Sequence, residues 1–61
     1  MKMLHTVKYH SGELVKHTFS TKAKSDKAID NAYKLNGTYH TIKCIWVEPV
    51  NYPWRRYRID F

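Results

Sequence analysis

The chain has 61 residues, with 11 Lys and Arg against 5 Asp and Glu, a formal net charge of +6, and 43% hydrophobic and 15% aromatic residues. A single domain of this size hides only about 60% of the surface its unfolded chain exposes, which excludes a scaffold carrying a deep substrate cleft. Its one cysteine, Cys44, cannot close an internal disulfide, and no Cys/His spacing suits a zinc finger, so the aromatics must supply the core that small domains otherwise take from staples.

Residues Met3 to Tyr9 put Met3, His5, Val7 and Tyr9 on one face of an extended chain and Thr6 and Lys8 on the other, the alternation of a strand. Leu14 to Ser20 alternates in the same way, Val15, His17 and Phe19 against Lys16, Thr18 and Ser20. A two-residue Ser11-Gly12 turn would oppose Val7 to Lys16 and mix charge with apolar groups on both faces. A longer loop with Gly12 in the left-handed conformation pairs Tyr9 with Glu13, Val7 with Val15, His5 with His17 and Met3 with Phe19, which gives one apolar face interrupted only by two histidines.

Thr21-Lys22-Ala23-Lys24 reads as a polar connection to Ser25, a suitable N-cap, with Asp26 favouring the positive end of a helix. The helix is expected from about Asp26 to Asn36, with Ala28, Ile29, Ala32, Tyr33 and Leu35 on its apolar side, and Asn36-Gly37 as its left-handed stop. Tyr39 to Val47 reads as a third strand apolar on both faces, Ile42, Cys44 and Trp46 on one and Ile45 and Val47 on the other. Pro49 ends it, and Asn51-Tyr52-Pro53 marks a turn. Arg56 to Phe61 alternates once more, so residues 50–61 form either a fourth strand or a docking arm. The expected fold is one α+β domain, residues 1–61: an antiparallel sheet of three or four strands with one helix on one face, ββαβ or ββαββ.

No motif for catalysis or a cofactor stands out. Zinc needs three or four converging ligands, and His40 and Cys44, four apart on a strand, would be roughly 13 Å from each other. His5 and His17 read as half-buried sheet residues, and Cys44 as inert packing. There is no glycine-rich phosphate loop and no carboxylate pair placed for acid/base work. The longest apolar run is Ile45-Trp46-Val47, which offers neither a signal peptide nor a membrane span. A non-enzymatic chain without metal or cofactor, in the cytoplasm, is the expectation.

What remains is contact chemistry. Trp54, Arg55, Arg56, Tyr57 and Arg58 concentrate arginine and aromatic types, the residues that anchor interfaces or engage phosphates and bases. Lys8 and Lys16, with Leu4 and Leu14, belong to the sheet face away from the helix, where Lys43, Ile45 and Val47 are expected to join them. Against these readings, the aromatics could simply fill the core while the arginines are solvated, or the C-terminal segment could fold back over that outer face. Tyr57, Ile59 and Phe61 also suit strand pairing with a second copy, a homodimer.

The strand-strand start, the Thr21-Lys22-Ala23-Lys24-Ser25-Asp26 entry to a helix bearing Ala28, Ile29 and Ala32, and the Ile42-x-x-Ile45-x-Val47 strand together resemble the small early host-takeover proteins of bacteriophages, such as the phage inhibitor of bacterial RNA polymerase. The likeness spans roughly residues 3–50 and carries no binding residue across. It implies a stoichiometric protein in the host cytoplasm that docks on a larger host protein, RNA polymerase or another nucleic-acid enzyme, and blocks or redirects it. The residues by themselves leave a nucleic-acid binder as the alternative, using Arg55, Arg56, Arg58 and nearby lysines on phosphates.

Overall fold

A computed structural model describes residues 1–61. It contains strands β1 (Met3–Tyr9) and β2 (Leu14–Phe19), helix α1 (Lys22–Tyr39), β3 (Ile42–Pro49), a short 3-10 turn over Pro53–Arg55, and β4 (Tyr57–Asp60). The strands form one antiparallel sheet in the order β2-β1-β3-β4. The C-terminal segment is therefore a fourth strand, and the ββαββ form is the one adopted. No helix is long and apolar enough to cross a membrane.

The β1–β2 hairpin has the register that the apolar pattern demands: Val7 faces Val15, His5 faces His17 and Met3 faces Phe19. Gly12 sits at φ 93°, a conformation that an L side chain resists, and its N–H donates to the Tyr9 carbonyl. Because β2 and β3 both run antiparallel to β1 from opposite sides, they are parallel to each other. Joining parallel strands takes a long crossover, and α1 is that crossover.

The helix differs from its sequence reading at both ends. It starts a turn earlier, with Thr21 as N-cap accepting from the Lys24 N–H. Ser25 is not a cap but an interior helical residue, only 1% exposed, held against the sheet. Asn36 and Gly37 do not stop the helix. The left-handed residue is His40, at φ 51°, whose N–H donates to the Asn36 carbonyl, while Asn36 Oδ1 accepts from the Ile42 N–H and ties the helix end to β3. The turn chemistry assigned to Asn36-Gly37 is thus divided between Asn36, acting through its side chain, and His40.

β3 begins at Ile42 rather than Tyr39, and a bulge corrects its faces. Tyr9 pairs with Ile42 but Lys8 pairs with Cys44, so Lys43 is an extra residue in the ladder. That insertion puts Ile42 with Ile45 and Val47 beneath the helix, and leaves Cys44 and Trp46 on the other face. The expected grouping of Ile42, Cys44 and Trp46 is overturned, and Ile45 and Val47 do not join Lys8 and Lys16 on the outer face.

The core consists of Met3, Val7, Ile42, Ile45 and Val47, flanked by Tyr9, Phe19, Ile29, Ala32, Ile59 and Phe61. The helix supplies little of it. Tyr33 and Leu35, expected on its buried side, are more than half exposed, Tyr33 touching only the rim through the Phe61 ring at 4.8 Å. With only 10 of 61 residues buried, each core side chain carries much of a stability that for this length is roughly 3–9 kcal/mol. Ile45→Ala should cost about 2–5 kcal/mol and leave the chain largely unfolded or close to it, as read by urea denaturation.

At the helix–sheet junction His5, 3% exposed, meets Ser25, with Nε2 and Oγ 2.5 Å apart in a hydrogen bond whose direction follows the imidazole tautomer. Phe19 lies against the ring at 4.5 Å. Burial, and then His17 opposite, push the His5 pKa below its ordinary value of 6.5, while Asp26 on the helix pulls weakly the other way. Between the lowered value and 6.5 the unfolded chain binds the proton that the folded chain refuses, so stability is lost as pH falls through that window. Urea midpoints measured downward from pH 7.5 should fall below about pH 6.5, and His5→Gln should remove most of that slope.

Candidate interaction surface

The face of the sheet away from α1 is organised by the register. One cross-strand row runs Lys16, Thr6, Trp46, Arg58, and the next runs Leu14, Lys8, Cys44, Asp60. Thr6 and Cys44 are buried in the middle of these rows, while Lys16 and Arg58 stand exposed at the two edges. Cys44 is buried as expected, but on this outer face rather than under the helix.

After β3 the chain must reverse to form β4. It does so through backbone hydrogen bonds from Tyr52 N–H to Pro49, Arg55 N–H to Tyr52 and Arg56 N–H to Pro53. Pro53 occupies the first turn of the 3-10 segment, where its fixed φ suits the helical start and its missing N–H costs nothing. The tight turn presents Trp54 at 75% exposure. Tyr52 meets the Trp54 ring edge to face at 5.4 Å, and the Arg55 guanidinium lies 5.4 Å from the Tyr52 centroid. Arg56 reaches back over the outer face and stacks 5.0 Å from the centre of the Trp46 ring.

The candidate residues separate accordingly. Trp54, Arg55 and Arg56 form one continuous surface with Tyr52 and Trp46, and Arg58 adjoins it, cross-strand from Trp46, with its Nε 3.1 Å from Asp60 Oδ1. Lys16 lies in the same row as Trp46 and Lys8 in the neighbouring one. Lys43 stands apart at the bulge, near the far end of the β3–β4 hairpin, where its carbonyl accepts from the Phe61 N–H. Tyr57, half exposed and paired with Val47, belongs to the helix side of the sheet. The C-terminal segment covers part of the outer face where Arg56 lies over Trp46.

Trp46 is the member that sequence reasoning misses, while Tyr52 belongs to the arginine and aromatic stretch that the sequence singles out. Strict alternation carried through Lys43 puts Trp46 on the face of Ile42, whereas the bulge turns it to the outer face. The adjacent apolar pair Cys44-Ile45 is the sole hint that two faces meet there.

Every arginine of the surface is held by its own neighbour: Arg55 by Tyr52, Arg56 by Trp46, Arg58 by Asp60. Planar groups fixed in this way lose little side-chain freedom when a partner arrives. Trp54, which precedes them, is three-quarters exposed and touches the Tyr52 ring. No group of three or more His, Cys, Asp or Glu side chains converges as a metal site would require. Comparison with known proteins finds no matching family model, no matching curated protein and no matching solved structure.

Trp54→Ala should leave the unfolding free energy from urea denaturation within about 0.5 kcal/mol of the wild type. Arg56→Ala, which uncovers the Trp46 ring, should cost about 0.5–1 kcal/mol and red-shift tryptophan emission in the Trp54→Ala background, where Trp46 is the one remaining indole.

Proposed function

We propose that this chain is a small non-enzymatic binding protein of the kind bacteriophages make against their hosts, acting in the bacterial cytoplasm by docking on a larger host protein and inhibiting or redirecting it. The observation that carries this reading is Trp54, three-quarters exposed on a proline-braced turn and flanked by Tyr52, Arg55 and Arg56. Tryptophan, tyrosine and arginine dominate the energetics of protein interfaces. The net charge of +6 favours an acidic patch on the partner, RNA polymerase or another nucleic-acid enzyme, and speeds the encounter more than it deepens the affinity.

The nucleic-acid alternative draws on the outer face, where Lys8, Lys16, Arg56 and Arg58 surround Trp46. Against it stand Asp60, which already occupies Arg58, and the lysines of α1, which spread the charge to the opposite side of the molecule. Capture from a bacterial lysate should recover one large host protein with the wild type and lose it with the Trp54→Ala, Arg55→Ala, Arg56→Ala variant. Titration with single- and double-stranded oligonucleotides at two salt concentrations should show no tight complex. Submicromolar binding that collapses with salt, the mark of phosphate neutralisation, would make this a nucleic-acid binder instead.

A further inference from the structure

β4 is an open edge of the sheet, with β3 on one side and no strand on the other. The Phe61 N–H donates to the Lys43 carbonyl, and in an antiparallel ladder the alternation from that pair turns the backbone groups of Ile59 and Tyr57 toward β3. Those of Arg58 and Asp60 point outward. No proline or lysine, common guards of a sheet edge, stands on this strand.

That backbone phase limits how a reversed copy of the strand can add to it. Outward residues must meet outward residues, so a two-fold axis perpendicular to the sheet passes through Arg58, Ile59 or Asp60. An axis at Arg58 sets two guanidinium groups against each other and asks Asp60 to pair with the partner's Arg56, whose backbone N–H is already given to the Pro53 carbonyl. An axis at Asp60 opposes two carboxylates. An axis at Ile59 pairs Arg58 with the partner's Asp60, and Asp60 with the partner's Arg58. Both are then hydrogen-bonded pairs, each exchanging two main-chain bonds.

The side chains favour the same register on both faces. On the outer face Arg58 and Asp60 are exposed and lie 3.1 Å apart within one chain. Two copies about Ile59 set the four charges at the corners of a square, opposite in sign along every side and alike only across the diagonals, so the edge is complementary to itself. On the helix face Ile59 meets the partner's Ile59, and Tyr57 meets the partner's Phe61, in the closer kind of cross-strand pair. Apolar surface is uncovered there: Tyr57 is 47% exposed, and Tyr33, against the Phe61 ring, is 51% exposed.

We infer that β4 is the seam of a symmetric homodimer, joined strand to strand about Ile59, with Arg58 and Asp60 of each copy paired to Asp60 and Arg58 of the other. Main-chain hydrogen bonds supply affinity in this mode, and the facing side chains fix the register. The Arg55 and Arg56 turns lie beyond the paired stretch, at opposite ends of the seam. A dimer therefore displays two Trp54 surfaces from one continuous sheet. The inference does not depend on what those surfaces bind.

The test is sedimentation equilibrium of the full chain, with 15N spectra, over concentrations from about 10 μM to about 1 mM, in about 0.15 M salt to screen repulsion between two +6 chains. Average mass should climb toward that of a dimer, with the Arg58 and Asp60 amides shifting and those of Leu14, Lys16 and Thr18 on the opposite edge unmoved. Arg58→Asp and Asp60→Arg should each weaken self-association at least about tenfold, because each sets like charges against each other across the seam. Mixed together, the two variants should form a heterodimer, in which every facing pair is again opposite in sign. The double variant Arg58→Asp, Asp60→Arg should dimerise as the wild type does, which decides the matter even if a single variant fails to fold. The Trp54→Ala, Arg55→Ala, Arg56→Ala variant should also dimerise, so loss of the seam and loss of host docking are read separately. Overturning results are a monomer at about 1 mM, shifts centred on β2 or on the Trp54 turn, single variants that associate as the wild type does, or a double variant that does not.

Discussion

The most deeply buried residue of α1 is polar. Ser25 is the only helix residue that is fully buried, and it is held by the imidazole of His5 from the middle of β1. A helix with a continuous leucine stripe would dock by burying apolar area, and small slips would cost little. A buried hydrogen bond is more exacting, because separating the pair leaves two desolvated groups without partners, at about 1–3 kcal/mol each. This contact therefore sets where along the sheet the helix sits. Ile29 and Ala32 then pack on the core, while Tyr33 and Leu35 are carried out toward solvent.

A second constraint is the extra residue Lys43 in β3. Without it, the period-2 alternation would turn either Ile42 or the Ile45 and Val47 pair away from the helix, and a core of five residues could not spare either. The bulge allows both sets to face inward. It also sends Cys44 and Trp46 to the outer face, where Cys44 is buried between Lys8 and Asp60 and Trp46 becomes the platform for Arg56. The C-terminal surface thus depends on a ladder irregularity at the opposite end of the strand.

The two sheet edges differ in chemistry because they differ in how they are built. β4 is preceded by a braced turn that displays rigid aromatic and guanidinium groups. β2 comes from a tight hairpin and displays backbone, with the lysines standing around it. Both edges carry exposed cationic side chains, Arg55, Arg56 and Arg58 around β4 and Lys16 on β2.

Much of this was legible in the residues themselves. Hairpin register followed from the need to keep charge off one face, the αL residue of the first loop from Gly12, and the alternation of β4 from Tyr57 to Phe61, because strand patterns and turn glycines act over a few neighbouring residues. The cluster of Trp54, Arg55 and Arg56 was visible for the same reason. Ser25 looked like a cap because a serine before an acidic helical turn satisfies local rules, and Asn36-Gly37 looked like a stop. In the folded chain, Ser25 is taken by His5, twenty residues away, and Asn36 by Ile42. The bulge at Lys43, and with it the side of the sheet on which Trp46 lies, depended on which strands became neighbours. Local alternation and turn chemistry belonged to the sequence alone. The faces, the helix ends and the surface around Trp46 were decided by tertiary structure, because each rests on a partner that is distant along the chain.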